Sequence, residues 1–331
     1  MVQAAIVGLG WWGKKLASVI GQSSLLKIVR GIEPNEASVA DYAQNCGFPV
    51  DRDFAAALDD PQVTAVILAT PHALHDEQIA RAAAAGKHVF CEKPLSLTRA
   101  GAQTSVRLMR EKNLVLGIGH ERRWEPPIAK MLIDAKSGKF GTLLQFEANF
   151  SHDKFVTLDA DNWRLSSANA PAGGMTATGI HLFDLATTLF GDGEAAFASS
   201  ATLASGIANG DSTCAMVRYV GGRTAYVSTM LATPFISRLA LFGSEGWIEI
   251  QDKAHVEAPE GWRVTSCEKG KKPQTIEVPP NNAVLENLEA FARAILKRAP
   301  YPITPDDMIA NTAVLEAIFK SARNGKTQLV N

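Results

Sequence analysis

Ala4-Ala5-Ile6-Val7-Gly8-Leu9-Gly10-Trp11-Trp12-Gly13 decides how the rest of the chain is read. Four apolar residues run straight into Gly-x-Gly-x-x-Gly, and a helix-like stretch from Trp12 to Ile20 follows. Each glycine has a task in a strand–turn–helix unit that holds a pyrophosphate. Gly8 permits the tight turn, Gly10 lets the backbone approach the anion, and Gly13 lets helix and strand pack closely. Free N–H groups at the helix N-terminus complete the anion site. Glu33, 20 residues after Gly13, ends a second strand over Leu26–Ile32. A carboxylate there accepts hydrogen bonds from an adenosine ribose and repels a 2′-phosphate. Pro34-Asn35-Glu36 adds no positive charge, so NAD is expected in preference to NADP; Arg30 is the counter-argument. Trp11 and Trp12 either pack against neighbouring loops, cover the cofactor or reach a substrate.

Outward from this loop, strand and helix patterns alternate. Val63–Ala69 is an apolar, β-branched run suited to a strand buried on both faces. Ala73–Gly86 reads as a helix with a C-terminal glycine, His88–Cys91 as a strand, and Thr98–Lys112 as a helix capped by Ser96 or Thr98. Leu114–Ile118 is a further strand. This order predicts an α/β fold beginning with a Rossmann-type, doubly wound parallel sheet. The character changes near residue 122. Pro126-Pro127 opens a helix, Leu143–Phe150 alternates like a strand, and a helix covers about Gly179–Phe190. Ala195–Ile250 gives repeated strand-length runs, with a hairpin at Gly221-Gly222, and two helices close the chain, at about Val284–Leu296 and Pro305–Arg323. We expect two domains: 1–122 binding the dinucleotide, and 123–331 an α/β domain with a large, mostly antiparallel sheet.

Composition narrows the classes of function. The chain has 331 residues, 46% hydrophobic and 20% charged, which suits two globular domains and excludes a disordered chain. Lys+Arg number 33 and Asp+Glu 34, a balance that excludes a dedicated nucleic-acid binder. No apolar run reaches the ~18–20 residues that span a bilayer, and no export signal is read, so a cytoplasmic protein is expected. Cys46, Cys91, Cys214 and Cys267 form no CxxC pair, and no metal site is expected.

Ala85-Gly86-Lys87-His88-Val89-Phe90-Cys91-Glu92-Lys93-Pro94 places Glu92 and Lys93 at the C-terminal end of a parallel strand, the edge where such sheets bind ligands. A lysine there can donate to a substrate hydroxyl or handle its proton. With this motif, GLGWWG, ATPHALH (69–75), ERRWEP (121–126), NWR (162–164) and AGGMTATGIHLFD (172–184), the chain resembles the Gfo/Idh/MocA family of NAD(P)-dependent oxidoreductases along essentially its whole length.

The resemblance implies a dehydrogenase or reductase acting on a secondary alcohol or carbonyl of a sugar, sugar derivative or polyol. It implies a homodimer or homotetramer built on the second sheet. Lys93 matches the catalytic lysine and His181 the histidine that shares its proton transfer. Arg164, after Trp163, and Arg122 or Arg123 match positions near substrate or nicotinamide, and Thr70, Pro71 and Glu92 match the loop around the nicotinamide ribose. Two departures stand out: Ala177 where many relatives carry Asp, and Glu121 where many carry Asn. The missing Asp weakens the case for inositol-like polyols. NAD-assisted glycoside hydrolysis and a non-catalytic dinucleotide-sensing regulator are the alternatives.

Other residues have two readings each. His75 either caps a helix or touches the cofactor. His120 ends a strand at the same edge and can line the pocket. Asp184, three residues after His181, can orient its imidazole or pair elsewhere. His152 and His255 read as surface residues.

Overall fold

The computed structural model describes residues 1–330, which form two units. The first comprises Met1–Glu121 and Ala283–Met308; the second comprises Arg122–Asn282 and the chain from Ile309.

The first unit is built on six parallel strands: β1 (Val2–Val7), β2 (Leu26–Ile32), β3 (Val50–Asp51), β4 (Ala65–Leu68), β5 (His88–Cys91) and β6 (Leu116–Ile118). Their order is β3-β2-β1-β4-β5-β6, so the direction of winding reverses between β1 and β4. All four residues of β4 are buried, as its apolar run requires. Helices α1 (Trp11–Ile20), α2 (Ala40–Asn45), α3 (Ala55–Leu58), α4 (His75–Ala84) and α5 (Arg99–Glu111) connect the strands. Of the two candidate caps, Thr98 caps α5: its Oγ1 accepts from the Gly101 N–H at 3.1 Å. Gly86 leaves α4 with φ +70°, the left-handed exit that glycine permits. The short elements β3, α2 and α3 have no periodicity long enough to be read from sequence.

The second unit opens with α6 (Pro126–Lys136) and holds nine strands: β7 (Leu143–Ser151), β8 (Gly193–Ala201), β9 (Ser212–Tyr219), β10 (Thr224–Met230), β11 (Ile236–Gly243), β12 (Gly246–Asp252), β13 (Trp262–Glu268), β14 (Gln274–Val278) and β15 (Gln328–Leu329). Their order is β14-β13-β12-β11-β7-β10-β9-β8-β15, antiparallel apart from the β7/β10 pair. Phe146, Ala148 and Phe150 of β7 face one side, where Leu182, Phe183 and Leu185 of α7 (Ile180–Phe190) join the same core. The other face keeps Phe197, Met216, Tyr226 and Ile236 exposed.

Two helices complete the chain, α8 (Ala283–Ile295) and α9 (Pro305–Asn324). Here the structure corrects the expected division, which gave residues 123–331 to the second domain. Leu288 and Phe291 of α8 are fully buried in the first core, where Phe291 meets Phe90 of β5 edge to face at 5.6 Å. Tyr301 then donates its hydroxyl to the Ile118 carbonyl at 3.0 Å. An amphipathic helix declares an apolar stripe but not which sheet receives it. No helix among the described residues is long and apolar enough to cross a membrane.

Candidate active site

The reversal between β1 and β4 leaves a crevice at their C-terminal ends, where sheets of this kind bind ligands. The glycine loop occupies it. Gly8 has φ +90°, and a Cβ there would lie 2.8 Å from the Ala69 carbonyl oxygen. A Cβ on Gly13 would overlap the Gly8 carbonyl oxygen. Packing within the protein therefore demands both glycines. Gly10 differs: it is exposed, has φ −63°, and a Cβ there would meet nothing within 4 Å. Open space over the first turn of α1 fits a phosphate held by backbone N–H groups.

Glu33 is half-buried, and its carboxylate accepts from the Leu9 N–H at 2.9 Å and from the Asn35 N–H at 3.1 Å. It thereby pins the glycine loop to the end of β2. A carboxylate has about four acceptor positions, so capacity remains for ribose hydroxyls. Arg30, the counter-argument for NADP, is taken by Asp51 and Asp60. Trp12 packs against the first core, whereas Trp11 is 55% exposed, with ring centroids 5.2 Å apart. The residues present fit a dinucleotide.

Along the same edge, Thr70 is buried and donates its hydroxyl to Gln78 Oε1 at 2.6 Å, while Pro71 is half-buried. Gln78 had no motif to mark it. Lys93 follows β5 by two residues, is half-buried, and precedes a cis peptide to Pro94. The Glu92 carboxylate is buried against Gly119: a Cβ on that glycine would lie 2.6 Å from both oxygens. His120 is buried just past β6. His75 is not placed to touch a cofactor. It is fully buried, with Nδ1 2.8 Å from the Pro94 carbonyl oxygen and Nε2 3.1 Å from that of Thr70. Its neighbour Asp76, at the helix start, accepts from Ser96 Oγ at 2.9 Å.

In the second unit, His181 is the second residue of α7 and is buried. A π-helical turn over Met175–Gly179 precedes it, a feature that often marks functional sites. Asp184, three residues further on, pairs with Arg123. Both Asp184 oxygens accept from Arg123, Nε to Oδ2 and Nη2 to Oδ1, each at 2.7 Å. This fork-to-fork ion pair engages both oxygens of the carboxylate in a buried setting.

Arg122 is likewise withdrawn from substrate. Its buried guanidinium donates to Asp252 at 2.8 and 3.0 Å, to Glu125 at 3.2 and 3.4 Å and to Ser237 at 3.1 Å, and it lies 5.5 Å from the Phe150 ring centre. Every nitrogen of the fork is engaged. Arg164 sits in a short 3-10 turn, Trp163–Leu165, which Asn162 caps by accepting from the Arg164 N–H at 3.1 Å. Its guanidinium stacks 4.4 Å over the Trp163 ring and both residues are half-buried. Asn209, a residue that no motif marks, ties this segment down by donating to the carbonyls of Arg164 at 2.8 Å and Ala170 at 2.6 Å.

His152 is not a surface residue. The last strand residue before it, Ser151, is buried, and His152 packs beside Phe150, Phe155 and His255. Burial, helped by His255 and Lys154, pushes its pKa down to about 4. No group of three or more His, Cys, Asp or Glu placed to hold a metal occurs among the described residues.

Residues 2–120 match the model of an oxidoreductase family with an NAD-binding Rossmann fold, and residues 129–249 match the GFO/IDH/MocA C-terminal domain. Levoglucosan dehydrogenase from Pseudarthrobacter phenanthrenivorans is 30% identical over 162 residues, 48% of this chain and 42% of that protein. This match thus spans less than half of that relative's length. 1,5-Anhydro-D-fructose reductase from Ensifer adhaerens is 28% identical over 81% of this chain and 80% of that protein. Among solved structures, aldose-aldose oxidoreductase from Caulobacter crescentus, complexed with glycerol, superposes with a TM-score of 0.86 at 24% identity, covering 99% of each chain. Levoglucosan dehydrogenase in complex with NADH and levoglucosan superposes with a TM-score of 0.85 at 22% identity, again over 99% of each chain. At these identities the superpositions speak for the fold.

Proposed function

The chain belongs to the Gfo/Idh/MocA family of NAD-binding oxidoreductases, and on that premise we propose that it oxidises a secondary alcohol of a sugar, sugar derivative or polyol, or reduces the matching carbonyl. The observation that carries this reading is Lys93, a primary amine held half-buried at the C-terminal edge of the first sheet, two residues past the strand next to β4. NAD, when bound, supplies a hydride acceptor that no side chain offers.

The chain's own residues do the rest. As the substrate C–H bond breaks, the O–H proton passes to Lys93 Nζ and the C–O bond becomes a carbonyl; reduction reverses each transfer. A protonated Lys93 also stabilises negative charge on that oxygen. His181 is the second group we assign to this proton. Arg164, stiffened by its stack on Trp163, positions substrate hydroxyls, and His120 is a second substrate-side group, at the end of β6. Gly8, Gly10, Gly13 and the α1 N-terminus would hold the pyrophosphate and Glu33 the ribose of a bound NAD, and Trp11, Thr70, Pro71 and Glu92 would flank it. The four free cysteines suit a reducing compartment such as the cytoplasm.

The names of the relatives order the test. Anhydrosugars, aldoses, sugar acids and cyclitols are offered with NAD, and with NADH in the reverse direction, and followed at the nicotinamide absorbance. Absorbance change with at least one of these classes is expected. Cleavage of glycosides without net change in NADH would point to the hydrolytic alternative, and tight NADH binding with no turnover of any class to a sensor.

NADH should bind more tightly than NADPH, because a carboxylate at Glu33 would repel a 2′-phosphate and Arg30 is already paired with two aspartates. Tryptophan fluorescence, with Trp11 exposed beside the loop, reads both titrations. Tighter binding of NADPH would overturn the assignment.

Oligomerisation is the second expectation. The uncovered face of the second sheet carries Phe197, Met216, Tyr226 and Ile236 around a hollow of about 400 Å³. A second copy would bury this apolar patch symmetrically. Light scattering should return a mass of two or four times 35.5 kDa, and Tyr226→Glu should lower it.

A further inference from the structure

We propose that His75 is a positioning residue for Lys93: it ties the turn that carries the lysine to the loop after β4. The inference rests on the proton-transfer role assigned to Lys93. The β4/β5 ladder runs out at the edge, where the Glu92 N–H donates to the Leu68 carbonyl at 2.9 Å. Beyond it, the His75 ring spans the two loops from within, reaching the Pro94 carbonyl at 2.8 Å and the Thr70 carbonyl at 3.1 Å. Pro94 follows Lys93 directly. Thr70 packs close to the glycine loop, since a Cβ on Gly8 would lie 3.1 Å from its Cγ2. The ring is fully buried, so neither contact is shared with solvent. It is short and rigid, and it starts α4, so any shift of the Lys93 turn must move a packed helix terminus.

Both partners are acceptors, and a neutral imidazole has one N–H. Burial pushes the His75 pKa down, against the pull of the two carbonyls. In the neutral ring the shorter contact selects Nδ1–H donating to Pro94, so the one bond the neutral ring makes lies beside Lys93, and Nε2 donates to Thr70 only when the ring is protonated. This predicts an asymmetry between conservative replacements. The asparagine amide nitrogen stands near the place of Nδ1, and that of glutamine near Nε2. His75→Asn can keep the Pro94 bond, and His75→Gln only the Thr70 bond.

The test compares His75→Leu, His75→Asn and His75→Gln with the wild type and with Lys93→Ala, on a substrate found by the panel above. In His75→Leu, kcat should fall roughly 10–100-fold with KM within about threefold, because a misplacement of about 1 Å costs up to ~10²-fold in rate. His75→Asn should recover most of the loss and His75→Gln little. In the cofactor-free protein, reductive methylation of Lys93, followed by mass spectrometry, should change in rate in His75→Leu and return towards the wild-type rate in His75→Asn. If the leucine variant does not fold, the asparagine and glutamine variants carry the comparison. Folded variants with wild-type kcat and labelling would overturn the proposal. So would equal losses in all three, which mark a purely structural histidine. If Lys93→Ala itself keeps its kcat, the role of Lys93 falls instead, while the labelling rates still report whether His75 holds the turn.

Discussion

Lys93→Ala is expected to lower kcat by roughly 10²–10⁴, the usual worth of a positioned proton acceptor, while NADH binding changes little. The argument runs from place to chemistry. Lys93 stands two residues past β5, at the edge where the winding of the first sheet turns over. The pyrophosphate cradle lies at Gly8–Gly13, on another strand, and is held by its own contacts: Gly8 against Ala69, Gly13 against the Gly8 carbonyl, and the Leu9 N–H on Glu33. Removing an amine four carbons long from a half-buried position leaves these contacts in place. The competing view makes Lys93 a surface cation that only balances nearby carboxylates. Partly exposed ion pairs are worth about 0–1 kcal/mol, so that view predicts a small change in stability and nearly normal turnover. Steady-state kinetics beside a fluorescence titration with NADH separates the two. A folded variant with near-normal kcat would remove Lys93 from the chemistry, and with it the observation on which the proposed function stands.

What the sequence discloses about this edge and what it withholds divide along physical lines. The glycine loop is legible because three glycines at fixed spacing each answer a backbone need. The structure finds two of those needs in packing and leaves the third, at Gly10, open for a ligand. The strand before Glu92-Lys93 is legible because Val89, Phe90 and Cys91, buried in a row, are all apolar. Side-chain partnerships are a different matter, since they form between residues far apart in the chain. Arg122 and Arg123 read as one pair of cations, yet one is paired with Glu125 and Asp252 and the other with Asp184. His75, with equal claims to cap or to touch cofactor, is drawn inward by two backbone carbonyls that no motif announces. The return of α8 to the first core escapes for the same reason: the identity of the receiving sheet is a tertiary fact.

Arg122→Ala should destabilise the second unit by ~3–5 kcal/mol, the usual cost of removing one partner from a buried ion pair. At about 2–4 °C per kcal/mol for a unit of this size, a thermal melt should show Tm lowered by about 10 °C. The side chain and that of Glu125 are each 4% exposed, so neither carboxylate partner can be fully rehydrated once the guanidinium is gone. Glu125 would lose the guanidinium paired with it at 3.2 Å, and Asp252 would keep the Trp262 indole N–H at 2.7 Å and the Ser237 hydroxyl, which donate but carry no charge. Arg122→Lys should recover little, because an ammonium cannot serve Glu125, Asp252 and Ser237 as the planar fork does. Replacing all three charges together with apolar or neutral residues of similar volume should restore much of the loss, since no buried charge is then left alone. A surface arginine, or one that binds substrate, behaves otherwise: Tm stays where it was and KM rises. Measured in ~0.1 M and ~1 M salt, the loss should be nearly the same, because a pair buried to this depth is poorly screened. A Tm unchanged by Arg122→Ala, with KM raised, would return Arg122 to the substrate and take the buried network out of the account of this unit's stability.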